Sequence, residues 1–393
     1  VGADGQIDIK GLVASTLDLS NESFLKGARL TFSGNSEASV RNLGRISASQ
    51  GDVYLIARTV ENAGSISASI GTVGLGGGSE VVLVDGGGIA VIAGNGTVAN
   101  SGSVDAASAE LKAANGNIYA LAINNTGVVR AGSLVNQGGK IVLQADGATA
   151  LSSGSLVANG GEVQVLGAQV GLDGSIDVSG VNGGTALVGG GFQGNAAGVL
   201  NAQRTVVGSG ATINANGASG NGGNVVVWAD NFTSYSGSIS ARGGSVEVSG
   251  KESLAFNGAV DAGADGSILL DPRDLTIVST GANDSDLSVS GILAAAPNAT
   301  SDVTISASAI EALTGAVTLE ASRDLTINAA LSFTQSSGTM TFNAGDDLTI
   351  AAAVNTAGAA LSFNASTGGL NTGTAKLTVA GPTSGGNVTF NNA

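Results

Sequence analysis

The residues able to do chemistry are few. The chain has no histidine and no cysteine, so the commonest general base, the commonest metal ligand and any thiolate site are missing. Three groups of carboxylates remain: Asp346-Asp347, Asp261 with Asp265, and Asp271-Arg273-Asp274. Clustered carboxylates with a nearby arginine could cleave acidic polysaccharides. However, Asp346-Asp347 stands before Leu348-Thr349-Ile350 just as Arg323-Asp324 stands before Leu325-Thr326-Ile327, and a repeated position reads more simply as a corner. Asp261-Ala262-Gly263-Ala264-Asp265-Gly266 lacks the alternating ligands of a calcium loop. Gly189-Gly190-Gly191 is followed by no Gly-Lys-Ser/Thr and cannot be a phosphate loop. No catalytic, metal or cofactor site is therefore expected. Rings and an amide remain for a glycan or protein contact: Trp228 and Phe232, and Phe192 and Gln193 in the stretch 189–205. The plainer reading of Trp228 is core or corner packing.

These residues are carried by a repeat. GNGGNVVVWAD at 220–230 opens a short aliphatic strand after a glycine pair, and Gly243-Gly244 opens another at Ser245 to Val248. The second glycines of the pairs are 21 residues apart, as are their echoes Gly237 and Gly258. Near the start, Asn42-Leu43-Gly44-Arg45-Ile46 returns as Asn62-Ala63-Gly64-Ser65-Ile66, 20 residues on. Short strands recurring at that step are the coils of a solenoid. Aliphatic strands are expected at Ile118 to Leu121, Ile141 to Leu143, Val163 to Leu166 and Ala186 to Val188. Gly64 and Gly102, 38 apart, suggest two coils. Beyond Asp274 a Leu/Val-Thr-Ile/Leu/Phe tripeptide takes over in two series, at 303, 325 and 348 and at 317, 340 and 361.

The fold class expected is all-β: a parallel β-helix, right-handed by crossover chirality, with coils of about 20–23 residues. Dividing 393 residues by that step gives roughly 17 to 18 coils and a rod on the order of 80 Å. Alternation places Val226, Val246, Val248, Ile268, Leu270, Leu325, Ile327, Leu348 and Ile350 inside, with Glu247 and Thr349 outside. Asparagines at corners (Asn42, Asn62, Asn100, Asn214, Asn257, Asn328) could stack in hydrogen-bonded ladders. Three departures from the wall are expected. Residues 11–27 read as a corner loop or one helical turn capped by Asn21, residues 189–205 as an insertion, and residues 285–313 as the place for a short helix.

Composition agrees. Sixty-four glycines against three prolines mark turns in an ordered chain, and aromatics at 3% leave a tube core to Val, Ile, Leu and Ala. The net charge of −15 offers no basic patch to nucleic acid or to an anionic membrane surface. No stretch is apolar enough for membrane insertion.

The stretch GLVASTLDLSNESFLKGARLTFSG at 11–34 resembles the later half of the two-partner-secretion domain of filamentous haemagglutinin-type exoproteins. Segments between 183 and 274, among them NGGTALVGGGFQ, GNGGNVVVWAD and GSILLDPRDLTI, resemble the region located after that domain in large members. The resemblance implies a right-handed β-helix from a Gram-negative bacterium, exported through an outer-membrane barrel transporter and displayed as an adhesin or fibre. The family's NPNG-type signature, which lies upstream of the GLVAST stretch, is absent, so the chain is expected to start inside that domain. Three regions are expected: 1–93, the C-terminal part of a two-partner-secretion-like β-helix; 94–278, a glycine-rich β-helix with the insertion near 189–205; and 279–393, a Thr-rich repeat. The expected partners are the transporter during export and a cell-surface glycan or protein receptor, or neighbouring copies stacked end to end. A secreted, non-enzymatic adhesin is favoured. The alternatives are a β-helical polysaccharide lyase or hydrolase, and a self-assembling extracellular filament.

Overall fold

The repeating residues dictate parallel stacking. In the computed structural model, which describes residues 1–26, 29–84, 87–132, 138–280, 289–293, 304–367, 376–381 and 383–392, strands from successive coils lie side by side. Among the described residues, 29 strands join into one sheet whose pairings are all parallel. Asn224–Ala229 pairs with Ser245–Gly250, and that strand with Ser267–Leu270, at the step set by the glycine pairs. This is a parallel β-helix. Long strands such as Glu162–Leu172 pass round a corner and link two walls.

Why glycine recurs after asparagine is steric. A Cβ on Gly102 would run into the carbonyl oxygen of Gly64 one coil below, and one on Gly127 into that of Gly102. The asparagines themselves point inward. Asn42 Nδ2 donates to Asn62 Oδ1, Asn62 to Asn100 and Asn100 to Asn125, each at 2.8 Å, and Asn125 donates to Ser152 Oγ at 3.2 Å. All four are at most 1% exposed. Of the other asparagines expected in ladders, Asn214 instead donates to Asp177 Oδ1 at 3.3 Å, and Asn257 and Asn328 are exposed.

The tube is filled as its composition requires. Val246, Val248, Ile268, Leu270, Leu325, Ile327, Leu348 and Ile350 all lie in one continuous core. Val226 is a correction. Its neighbours Val225 and Val227 enter the core, while Val226 faces away from it and packs with Leu187 and Trp228 in a separate cluster. Three valines in a row hid the phase of the alternation, because this strand is buried on both faces.

Coil length is less regular than the sequence step. Ser65 pairs directly with Ser103, so Gly64 and Gly102 are one coil apart, not two. The excess is a hairpin, Glu80–Val84 with Gly88–Ala93, which leaves the wall and joins Thr31–Ser33 and Asp18–Leu19 in an antiparallel sheet. That sheet is fastened back on the wall: Ile89 N donates to Glu110 Oε2 at 2.7 Å, and Lys112 Nζ donates to Ile89 O at 2.9 Å. A further coil step, from Ser175 to Thr212, holds residues 189–203. Such excursions make the coils fewer than the 17 to 18 obtained by dividing the length.

Other boundaries shift for local reasons. Ile118 to Ala120 form a turn, and the strand is Leu121–Asn125. Residues 11–26 contain Leu12–Ser15, paired with Val53–Ala57, before the helix Asn21–Lys26. Ser20, not Asn21, caps that helix, its Oγ accepting from Ser23 N at 3.1 Å. Gly27 lies outside the described residues. Within 285–313 there are a 3₁₀ turn, Val289–Leu293, and a one-turn helix, Ala307–Glu311, while Ala294 to Ala296 lie outside the described residues. Thr304–Ser306 pairs with Leu275–Val278 on the edge opposite to Leu325–Ile327. The series at 303, 325 and 348 therefore stacks in the order 304, 276, 326, 349. The other series, through Val317, Met340 and Leu361, stacks as its spacing implies.

Candidate functional site

Residues 189–203 carry no strand, only a 3₁₀ turn at Phe192–Gly194. They fold over the wall made by Thr185–Val188, Asn224–Ala229 and Ser245–Gly250. Trp228 is the anchor. Its indole N–H donates to Asp230 Oδ1 at 3.0 Å, and Asn201 Nδ2 donates to the same carboxylate at 3.2 Å and to Gly194 O at 2.8 Å. A side chain at Gly190 or Gly194 would collide with the indole ring, one at Gly189 with Thr205 and the Trp228 carbonyl, and one at Gly191 with Ala196, so close packing explains the glycine run at 189–191. Trp228 is consequently 4% exposed.

The second fastening is charged. Glu247 points away from the tube, as alternation requires, but the segment covers it and it is 1% exposed. Both its oxygens accept from the backbone N–H of Gln193, at 2.9 and 3.2 Å. Gln193 adopts φ 49°, a left-handed conformation uncommon for a side-chain-bearing residue, and this turns its N–H towards the carboxylate. Burial pushes the Glu247 pKa up to about 7, the Gln193 N–H opposing and Asp271 and Glu320 adding to the rise. Asp271 is also pushed up to about 7, by burial first and then by Glu320. Asn343 Nδ2 donates to Glu320 Oε2 at 3.2 Å, so the acidic line continues as an amide ladder through Asn364 and Asn391.

Beside these acids lies a groove of about 530 Å³, lined by Leu187, Phe192, Val226, Glu247, Leu269 and neighbouring Ser and Thr residues. Phe192, 56% exposed, forms its rim. Of the four residues expected to contact a glycan or partner, Phe192 lines this groove, Gln193 next to it binds the lining Glu247 through its backbone N–H, and buried Trp228 holds the segment. Phe232 stands elsewhere, 6% exposed on the strand Phe232–Tyr235. Glu247 was missed in the sequence because an outward position on an alternating strand reads as solvent-facing.

Of the remaining candidate carboxylates, Asp265 is exposed, while others bind from coil to coil. Asp274 accepts from Arg323 at 2.7 Å through both oxygens, Asp324 Oδ1 from Asp347 N at 3.1 Å, and Asp347 Oδ1 from Lys376 N at 2.8 Å. These are corner bonds from coil to coil, as the repeated placement of Asp346-Asp347 implies. Asp261 pairs with Arg242 at 2.6 Å. Among the described residues no three acidic side chains gather to hold a metal ion.

The fold is a parallel β-helix that carries an extra-helical antiparallel sheet and a strapped-down segment. No family model and no curated protein matches the chain. Among solved structures, the HMW1 secretion domain from Haemophilus influenzae matches with a TM-score of 0.61 at 31% sequence identity, over 69% of this chain and 77% of that one. The chain belongs to the family of that domain, the two-partner-secretion exoproteins.

Proposed function

We propose that the protein is a non-enzymatic adhesin of the filamentous haemagglutinin type, secreted through an outer-membrane barrel transporter and displayed at the cell surface. The groove under Phe192 supports this reading. It joins an exposed ring, an apolar floor and hydroxyl-bearing strand starts, the usual equipment for a carbohydrate face. Cell adhesion by the purified chain, with a glycan array to find the ligand, tests it. Phe192→Ala should lower binding about tenfold with no change in melting temperature. If the variant binds as well as the parent, the groove is not the contact.

One observation favours a second reading. Glu247, which lines the groove, and Asp271, whose charge acts on it, both have pKa values near 7, as the acid–base work of a polysaccharide hydrolase needs. Depolymerisation of pectin, alginate or hyaluronan, lost in Asp271→Ala, would establish that reading and sink the non-enzymatic one. End-to-end association of copies is a separate proposal, and electron microscopy of purified protein decides it.

A further inference from the structure

The groove at Phe192 runs along the rod, across the strands, and its wall is two columns of outward side chains. In one column Thr185, Asn224, Ser245 and Ser267 are Cα partners in successive coils. In the other, Leu187, Val226, Glu247, Leu269 and Thr318 stack in the same way. The columns stand two residues apart on each strand, so about 7 Å separates a polar edge from a mostly aliphatic floor. From Leu187 to Thr318 the floor crosses four coil steps, roughly 19 Å at about 4.8 Å a step.

The polar edge is equipped to bond a ligand. Asn224, Ser245 and Ser267 are exposed. Ser245 Oγ donates to Asn224 Oδ1 at 2.7 Å. The Asn224 Nδ2 donors and the Thr185 and Ser267 hydroxyls then have no protein partner among the described residues. Phe192 forms the opposite lip. The bond from Gln193 N–H to Glu247 sets that exposed ring against the middle of the floor, where it can lie on the apolar face of a sugar. Charge narrows the choice of ligand. Among the described residues no lysine or arginine lines the groove, and the charges acting on the lining Glu247 are those of Asp271 and Glu320. An anion here would meet carboxyls and no counter-charge.

Spacing narrows it further. An extended peptide brings side chains to one face at about 7 Å intervals, out of step with coils at about 4.8 Å. A β-1,4-linked pyranose chain is a straight ribbon that advances one ring in nearly one coil step. Each ring then meets one side chain of the polar edge and one of the floor. Resting on the carbohydrate reading of the groove, we propose that it binds a neutral, linear, ribbon-like glycan lengthwise, about four rings at a time. Thr185, Asn224 and Ser267 bond the ring hydroxyls, and Phe192 stacks on a ring near the middle. The acids beneath the floor turn away the same ribbon when it carries carboxylates.

Titration calorimetry of the whole chain tests it, with dimers and tetramers of β-1,4-linked glucose and mannose, with β-1,4-linked tetramannuronate and with maltotetraose. At least one of the two neutral β-1,4 tetramers should bind with Kd of about 1 mM or tighter, and its dimer about tenfold more weakly. Tetramannuronate, a charged ribbon, and maltotetraose, neutral but curved, should also bind about tenfold more weakly. Asn224→Ala and Ser267→Ala, both at exposed positions, should each lose about fivefold. The glycan series is read on the parent chain, so it stands even if a variant fails to fold. The proposal is overturned if neither β-1,4 tetramer gives heat, if the dimer, tetramannuronate or maltotetraose binds as tightly, or if both variants bind like the parent. Binding of tetramannuronate or maltotetraose alone, lost in Phe192→Ala, would sink this proposal and leave the carbohydrate reading of the groove standing. No heat from any glycan, with Phe192→Ala adhering to cells like the parent, would sink both.

Discussion

Glu247 bears on both the groove and the stability of the wall around it. Its carboxyl and that of Asp271 hold protons up to about 7, against the ordinary carboxylate range in an unfolded chain. Burial is the main cause at Glu247, the Gln193 N–H opposes it, and the charged groups facing it, Asp271 and Glu320, both acidic, add to the rise. Folding therefore takes up protons between about pH 4 and 7. The stability these groups contribute is full below the unfolded pKa and is lost as pH rises through 7. Melting temperature should fall between pH 5 and 8, and Glu247→Gln should flatten that fall and raise stability at pH 8, by on the order of 3 kcal/mol. Melts of parent and variant across that range check it, and parallel curves would refute the assignment. A second residue-scale expectation concerns Asn62, whose Nδ2 and Oδ1 both serve the buried ladder. Asn62→Ala takes away the side-chain acceptor of Asn42 Nδ2 and the donor to Asn100 Oδ1, and should cost about 1–3 kcal/mol. Chemical denaturation measures it, and a variant as stable as its parent would mean the ladder is optional.

At the scale of elements, what the sequence made legible was whatever repeats. The step of 20 to 21 residues between glycine pairs, and the Leu-Thr-Ile triplets, are imposed by stacking and so are written at every coil. The registers of Asn224–Ala229 on Ser245–Gly250 and of Leu325–Ile327 on Leu348–Ile350 are set by them. The excursions left no periodic trace. The hairpin Glu80–Val84 with Gly88–Ala93 alternates like any wall strand, and only its antiparallel pairing distinguishes it. Phe192 and Gln193 stood out as ring and amide in a strandless stretch. Glu247 did not, because its burial comes from a chain segment far away in sequence. Trp228 has its structural role in holding one such segment, residues 189–203, to the wall. Trp228→Ala should cost about 3–5 kcal/mol if the loss reaches the whole fold, but the clearer expectation is local. Limited proteolysis should cut within 189–203 in the variant and not in the parent, and the groove at Phe192 should lose its ligand. Cleavage patterns that do not differ would show that the segment holds without its indole.

For the whole molecule, the question is how far a local defect travels. Each coil packs chiefly on the coils before and after it, and among the described residues the core runs from Ile46 to Ala365 along the tube. Stability in such an array is close to a sum over coils and their interfaces, so unfolding need not be all-or-none. Leu348 is fully buried between Leu325 and Leu377 in the parallel ladder. Leu348→Asp places an unpaired carboxyl in an apolar tube and should cost several kcal/mol, on the order of 3–5. That exceeds what a few coils hold by themselves, so the C-terminal coils should open while the rest stays closed. Hydrogen exchange should then show lost protection across Leu325–Ile327, Leu348–Ile350 and Ala360–Ala365, with Val53–Ala57 and Glu162–Leu172 unchanged from the parent. The middle coils add a boundary. The Tyr235–Phe256 stack, with centroids 5.3 Å apart, lies well below the Phe342–Phe363 stack at 4.8 Å, and the irregular step around 278–304 separates the two. A defect at Leu348 should stop at that irregular step, where strand order and sequence order part. Uniform loss of protection along the chain would instead make the rod one cooperative unit and refute the additive picture.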